Sequence, residues 1–408
     1  MSARVAITGV GLVTPVGHDL DAVLDAARTG RHGVVRRPPW EGLLGIRSAL
    51  VAAVSDLDLD RWPRKQVRTM GRVARLATEA TERAVRAAGL DSDMLASGAV
   101  GLAYGSTHGA SDAWERFARG FIEEGHFFGG GGGAYLQFMS HTCAANLALF
   151  FGVRGRVVPA CAACASGSLA IGLAAEAIRA GAQDVMLAGG AEELHYITAG
   201  VFDAMGATSS GYNDRPQDSP RPFDSARDGL VLGEGAGTLV LEGWDHARAR
   251  GAPILAELVG FGTNCDGVHV TAPSARGMQD AMCRALADAR VSAGDVDYVS
   301  AHATATVVGD ACESEATFAV FGDRAPVSSF KGHIGHTLGA CGAIEAALCV
   351  GLLGAGFVPP TRNLARVGDD CAPLDYVVGA PRDARVDVAL TNNFAFGGIN
   401  TSLVLRRA

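Results

Sequence analysis

Two stretches of this chain share one plan, and that plan restricts the fold more than any other feature. Each runs from a short apolar strand, through a turn rich in small residues, into a helix with almost no polar face. In the first, Val157–Ala160 leads into Cys161-Ala-Ala-Cys164-Ala-Ser-Gly, then a helix from Ser168 to Ala180 closing at Gly181. In the second, Pro326–Phe330 leads into Lys331-Gly-His333-Ile-Gly-His336-Thr-Leu-Gly, then a helix from Ala340 to Leu353. A helix that is apolar nearly all round belongs in the middle of a protein. The pattern therefore predicts a layered α/β fold with buried central helices. Its repetition points to two related halves with no obvious linker, placed at 1–243 and 244–408.

The surrounding pattern agrees. Val5–Gly9 reads as a buried strand ending in a Gly-rich turn, and Val100–Tyr104 as another strand. Arg72–Gly89 reads as an amphipathic helix with Val73, Leu76, Ala80, Ala84 and Ala88 on one face. Strands are also predicted at Val185–Ala188, Val299–His302, Val388–Thr391 and Thr401–Leu405. The five glycines of Gly129–Gly133 predict a loop tip. At 408 residues and 48% hydrophobic, the chain can bury a large core. A net charge of −8 without a basic run argues against a nucleic-acid partner. The opening MSARVAITGVGLVTPVG lacks signal-peptide features, and no run of 18 uncharged apolar residues suggests membrane insertion. Nine cysteines, an odd number and mostly in Ala/Gly-rich runs, suit reduced core thiols of a cytoplasmic protein.

Cys164 stands between a strand and the first turn of a buried helix. Facing the positive end of that helix, its thiol is expected to have a lowered pKa. Gly167 and Ser168 would permit the sharp turn and help satisfy the free helix N–H groups, as in a nucleophile elbow. Burial as a small hydrophobe is the commoner role of a cysteine, and it is assigned to Cys143, Cys265, Cys283, Cys312, Cys341, Cys349 and Cys371. Cys161 reads as a wall residue behind Cys164. The pairs Cys161/Cys164 and His333/His336 also invite zinc, or a redox motif, but their spacing and their separation between halves weigh against both.

His302 ends a strand in Ala301-His302-Ala303-Thr304-Ala305-Thr306, and His336 ends a turn before the second apolar helix. A nucleophilic thiol with two histidines from distant loops suggests acyl transfer. Surface or core roles are assigned to His18, His32, His126, His246 and His269. Lys331 lies in an uncharged run, and Glu345 lies within the apolar helix. Both need partners, so an ion pair between them is expected, with Glu313 the rival. Gly233-Glu-Gly-Ala-Gly237 reads as close strand packing, and Gly397-Gly398 as backbone near the site.

Over nearly its full length the chain resembles the elongating β-ketoacyl-acyl-carrier-protein synthases, the type II class of the thiolase superfamily. The resemblance rests on Arg4–Gly17, Ala160–Gly172, Ala188–Glu192, Arg221–Gly237, Ala301–Asp310, Lys331–Glu345 and Asn393–Asn400. Thr69-Met-Gly-Arg-Val, Arg156-Val-Val-Pro and Asn392–Asn400 are most similar to ketosynthases of aryl-polyene and other highly reducing type II polyketide pathways. The resemblance implies a thiolase-like fold of two pseudo-symmetric halves in five layers, α-β-α-β-α. It implies a decarboxylative Claisen condensation with Cys164, His302, His336 and Lys331 as the catalytic set and Glu345, Glu313, Thr304 and Thr306 as supports. Backbone N–H groups of Cys164 and Phe396 would hold the oxyanion, with Phe396 as gate. His108, Cys161 and Phe394 would line the acyl pocket, and Arg64, Lys65 and Arg68 match positions that dock an acyl carrier protein; Arg72 completes the same basic cluster, which otherwise reads as a solvated helix face. No metal or resident cofactor is implied, since phosphopantetheine arrives on the carrier. The implied assembly is a homodimer, or a heterodimer with a chain-length factor. The alternative is that the chain is itself a non-catalytic chain-length factor, a class that typically lacks the cysteine. The sequence departs from the family at Ala303 and Ala395, which replace glycines, and at Gly332-His333-Ile334, which replaces Ser-Met-Thr.

Overall fold

The computed structural model describes residues 3–37, 40, 43–125 and 131–408. Within them ten of the eleven strands of one sheet form a single arrangement used twice, with Asp375–Tyr376 added at one edge. The first five strands in chain order are Val5–Val13, Val100–Gly105, Val157–Ala160, Val185–Glu192 and Gly235–Gly243. Counted in that order they lie 1-5-4-2-3 across the sheet. The next five, Ala256–Cys265, Tyr298–Ser300, Pro326–Ser328, Val388–Ala395 and Ile399–Arg407, lie in the same order, 1-5-4-2-3. In both halves strand five is antiparallel to its two neighbours, and the remaining pairs are parallel. The halves join where Ala6 and Ile7 pair with Glu257 and Ala256.

In each half a central helix connects strands three and four: Ser166–Arg179 in the first, Cys341–Ala355 in the second. They pack on each other and on strands of both halves. The outer faces are covered by Arg72–Ala88 and Ala275–Ala289, each connecting strands one and two of its half. This is the five-layered, two-halved α/β architecture the sequence implies. By length and composition the segment Leu338–Ala355 could cross a membrane, but here it is the buried core of the molecule.

Glycine sets the layer spacing. A Cβ on Gly11 would lie 1.9 Å from the Ala80 carbonyl oxygen, and one on Gly262 would lie 2.1 Å from that of Ala281. Each glycine lets the outer helix of its half settle on strand one. Gly9 does the same, so the strand does not end in a glycine turn there but continues to Val13. The central helices cross where a Cβ on Gly167 would lie 2.9 Å from Ala343 N and one on Gly342 2.6 Å from Ser168 N. The Gly233–Gly237 segment is likewise closely packed, a Cβ on Gly235 falling 2.5 Å from Val13 O.

Other expectations are corrected. The first central helix begins at Ser166 rather than Ser168. Gly131–Gly133 open the helix Gly131–Phe138 instead of forming a loop tip; Gly129, Gly130 and His126 lie outside the described residues. All nine cysteines are free thiols, but Cys161, Cys265 and Cys283 are exposed rather than in the core.

Candidate active site

The turn that carries Cys164 is held by its own backbone and by Ser166. Ala163 has φ 46, a left-handed conformation that costs a residue with a Cβ about 1–2 kcal/mol. Hydrogen bonds from Ala165 N to Ala162 O, 3.0 Å, and from Ser166 N to Ala163 O, 3.1 Å, hold it there. Ser166 Oγ accepts from Ala162 N at 2.9 Å and donates to Ala163 O at 2.6 Å. Thus Ser166 does the work expected of Ser168, whose hydroxyl instead bonds Ala165 O and Thr401 Oγ1. Gly167 serves the helix crossing rather than the turn.

His336 stands at the equivalent place in the second half. Its N–H donates to Val231 O at 2.7 Å and its carbonyl accepts from Gly233 N at 2.9 Å, so its backbone is clamped on both sides. Gly335 precedes it at φ 67, where a Cβ would meet Val231 O at 2.7 Å. His302 follows strand two of the second half, and Glu313 positions its loop by accepting from His302 N and Ala303 N at 2.7 and 2.6 Å. Asp310 Oδ1 accepts from Thr304 N at 2.9 Å and from Ala305 N at 3.1 Å. Glu313 is therefore a brace for His302, not the hydrogen-bonding partner of Lys331. That partner is Glu345, with Nζ to Oε1 at 2.5 Å, as expected.

These elements converge. Cys164 Sγ lies 3.0 Å from His336 Nε2, and the His302 and His336 rings meet edge-on with centroids 5.1 Å apart. One ligand-type atom from each of Cys164, His302 and His336 lies within 4.8 Å of the others. The three line a cavity of about 620 Å³ whose walls include Thr304, Thr306, Phe394 and Phe396. Phe394 meets the His302 ring at 6.2 Å, and Phe396 stacks on Phe202 at 5.7 Å. Gly397 and Gly398, at φ 86 and 71, form the turn after Phe396, and Gly398 also borders the cavity.

Burial dominates the electrostatics. It pushes the Cys164 thiol up to about 12, against the pull of the Lys331 charge and with a further push from Glu192. The lowered thiol pKa expected from the helix end is thus overturned: at rest the group is a thiol. Burial, reinforced by Lys331, also holds His302 and His336 well below the usual imidazole range, so both are neutral at pH 7. Burial works against the Lys331 charge, but Glu345, with Cys341 and Glu313 adding to it, raises the lysine pKa. The result is a neutral imidazole beside a thiol, and a second neutral imidazole facing the same cavity. A lysine held charged by its glutamate stands behind them. Such a set can take the thiol proton and donate hydrogen bonds to an oxygen that gains charge.

Several expected site residues lie elsewhere. Cys161 is exposed and donates to Thr107 O at 3.1 Å, so it is no wall of the cavity. His108 is bonded to Ser111 Oγ at 2.6 Å and Thr107 Oγ1 at 3.0 Å, and it too is absent from the cavity lining. His333 stacks on Phe330 and bonds Arg31 O, so the set Cys161, Cys164, His333 and His336 is not assembled. Arg64, Lys65 and Arg68 are exposed. Arg72 is not free for docking: its guanidinium grips Glu234 through two bonds of 2.8 and 2.7 Å. The sequence reading missed Cys341 and Asn393, which connect the ion pair to Cys164. Two asparagines in a buried strand, Asn392 and Asn393, were the available signal.

Comparison with known proteins agrees with this geometry. The family described as Beta-ketoacyl synthase, N-terminal domain, matches residues 2–247, and Beta-ketoacyl synthase, C-terminal domain, matches 255–365. The chain is 38% identical to Nodulation protein E of Rhizobium meliloti (strain 1021), over 100% of both chains. It is 36% identical to 3-oxoacyl-[acyl-carrier-protein] synthase 1 of Escherichia coli (strain K12), over 99% of each. A β-ketoacyl synthase from Burkholderia phymatum STM815 superposes with a TM-score of 0.96 at 48% identity, over 100% of each chain. The ishigamide ketosynthase/chain length factor superposes with a TM-score of 0.93 at 31% identity, again over 100% of each. A type II ketosynthase solved with its acyl-carrier protein and bound to the hexaketide gives a TM-score of 0.91 at 31% identity, over 100% of each. With the thiolase-like fold and the Cys164–His302–His336 cluster in place, the chain belongs to the β-ketoacyl synthase family and is a ketosynthase that carries out Claisen condensation.

Proposed function

We propose that this ketosynthase condenses an acyl group held on Cys164 with a malonyl unit delivered by an acyl carrier protein. The observation that carries the proposal is the convergence of Cys164, His302 and His336 at one cavity, with both histidines neutral. His336 takes the Cys164 proton as sulfur attacks the acyl thioester and the carrier thiol leaves. The backbone N–H groups of Cys164 and Phe396 hold the oxyanion of this step. Malonyl-carrier then enters, its C–C bond to the carboxylate breaks and carbon dioxide departs. The electron pair remains as an enolate, whose oxygen accepts hydrogen bonds from His302 and His336. The enolate carbon attacks the acyl carbonyl, the C–S bond to Cys164 breaks, and the departing thiolate takes a proton from solvent to restore the resting thiol. The product is a β-ketoacyl-carrier longer by two carbons.

In this reading Lys331 and Glu345 keep the histidines neutral, Glu313, Thr304 and Thr306 hold the His302 loop, and Phe396 gates the cavity beside Phe394. Exposed Arg64, Lys65 and Arg68 meet the acidic carrier. The halves divide at 243/244, and the enzyme works in the cytoplasm as a homodimer or with a chain-length factor. Relatives whose names include a chain length factor and an acyl-carrier protein support that assembly. The test is to mix the enzyme with acyl- and malonyl-carrier protein and follow carbon dioxide and β-ketoacyl product by mass spectrometry. Unchanged activity in Cys164→Ala overturns the nucleophile assignment. Product distributions with and without a candidate partner decide the assembly.

A further inference from the structure

Cys341 is fully buried at the first position of the second central helix. Its thiol is directed at the nucleophile's own backbone, with Cys341 Sγ donating to the Cys164 carbonyl oxygen at 3.3 Å. The same sulfur accepts from Asn393 Nδ2 at 3.5 Å. The other Nδ2 hydrogen of Asn393 goes to Glu345 Oε2 at 2.7 Å. Glu345 Oε1 in turn receives Lys331 Nζ. A continuous hydrogen-bonded path therefore runs from the buried ion pair, through Asn393 and Cys341, to the peptide carbonyl of Cys164. Each donor in this path has one direction to point. The lysine and the amide have no acceptor role here, and a thiol that accepts from the amide is left to donate to the carbonyl.

We infer that Cys341 is a positioning residue for the condensation, fixing the orientation of the Cys164 peptide and hence the direction in which Sγ meets an incoming thioester. This rests on Cys164 being the nucleophile. The turn explains why such a fixture is needed. Ala163 sits at φ 46 immediately before Cys164, so the turn is not the conformation this sequence would choose by itself. The bonds at Ala162, Ala163 and Ser166 hold the N-terminal side of the turn; the Cys341 bond holds the carbonyl on the other side of Cys164. Because Asn393 lies in the strand Val388–Ala395, which Phe396 follows directly, the path also connects the nucleophile with the chain segment bordering the cavity. Cys341 takes no part in bond making: it is fully buried and does not line the cavity. A small hydrophobe would fill the same space; only a donor supplies the bond.

The test compares Cys341→Ala with Cys341→Ser. Wild type and variants are treated with iodoacetamide, and peptide mass mapping follows the rate at which Cys164 is labelled. Acyl loading from acyl-carrier protein is measured in parallel, and circular dichroism checks the fold. Cys341→Ala is expected to slow both labelling and loading by about fivefold to tenfold, the scale of one neutral hydrogen bond. The KM for acyl-carrier should stay unchanged. Cys341→Ser, which keeps the donor, is expected to restore both rates to within about twofold. Wild-type rates in Cys341→Ala, or an equal loss in Ala and Ser, overturn the inference. Labelling needs no condensation, so an enzyme that labels at Cys164 but makes no product would fail the functional reading while leaving this one standing.

Discussion

Cys164 Sγ and His336 Nε2 are 3.0 Å apart, and both residues are almost wholly shielded from solvent. A proton can pass along that contact, but the thiolate is not the resting state, since burial pushes the Cys164 thiol up to about 12. Reactivity toward a small alkylating agent should follow the thiolate fraction, which rises tenfold per pH unit while pH stays well below the pKa. Labelling of Cys164 is therefore expected to climb about tenfold per unit between pH 6 and 9 without a plateau. A plateau near neutrality, measured by iodoacetamide kinetics, would restore the low-pKa thiolate expected from the helix end.

The Lys331–Glu345 pair predicts a shifted acid limb. Lys331 adds to burial in holding both histidines below their ordinary range. In Lys331→Met that contribution is gone, and the histidines should bind protons at higher pH. A protonated imidazole cannot accept the Cys164 proton, so the fall in kcat/KM on acidification should begin at higher pH than in wild type. Removing one member of a buried ion pair also costs about 3–5 kcal/mol, so the urea midpoint should drop. Pairing the change with Glu345→Leu should recover part of that stability but leave the acid limb displaced.

His302 and His336 should separate in their effects. Only His336 touches the sulfur, so His302→Ala is expected to load Cys164 with acyl at a near-wild-type rate. Condensation should fall by about 10²–10⁴-fold, because one of the two enolate hydrogen bonds is lost. Intact-protein mass spectrometry should show acyl-enzyme accumulating in the presence of malonyl-carrier. If loading and condensation fall together, the division of labour is wrong.

What the sequence made legible was local. The small-residue turns around Cys164 and His336, the apolar helices after them and the unaccompanied charges of Lys331 and Glu345 are all visible within a few residues. What it hid depended on contacts between distant segments. Gly9 reads as the end of a strand until the helix carrying Ala84 lies across it. Arg72 reads as part of a basic surface, yet Glu234 takes its guanidinium. Cys341 reads as one more small apolar residue, because composition reports burial but not the direction of a sulfur. The helix end acts on Cys164 from one element, whereas burial by everything packed around it governs its pKa. Cys161 reads as a pocket wall from its closeness to Cys164, and His108 from the resemblance, yet Cys161 bonds Thr107 O, His108 bonds Ser111 Oγ, and neither borders the cavity.

The glycine spacing of the layers gives a prediction independent of chemistry. At Gly11 an added methyl would fall on the Ala80 carbonyl, and at Gly262 on the Ala281 carbonyl, both backbone atoms of a packed helix. Neither neighbour can rotate away, so each Ala variant must push its outer helix off the sheet. Overpacking of this kind costs about 1–3 kcal/mol or more. The two sites occupy corresponding places in the two halves, so Gly11→Ala and Gly262→Ala should lower the urea midpoint by similar amounts. Gly354 provides the opposite case. It lies exposed in the helix Cys341–Ala355 with nothing within 4 Å of an added Cβ. Gly354→Ala should therefore raise stability by about 0.5–1 kcal/mol through backbone entropy. A Gly11→Ala or Gly262→Ala as stable as wild type would show that these glycines do not set the spacing, and a destabilised Gly354→Ala would overturn the open-site prediction for that helix.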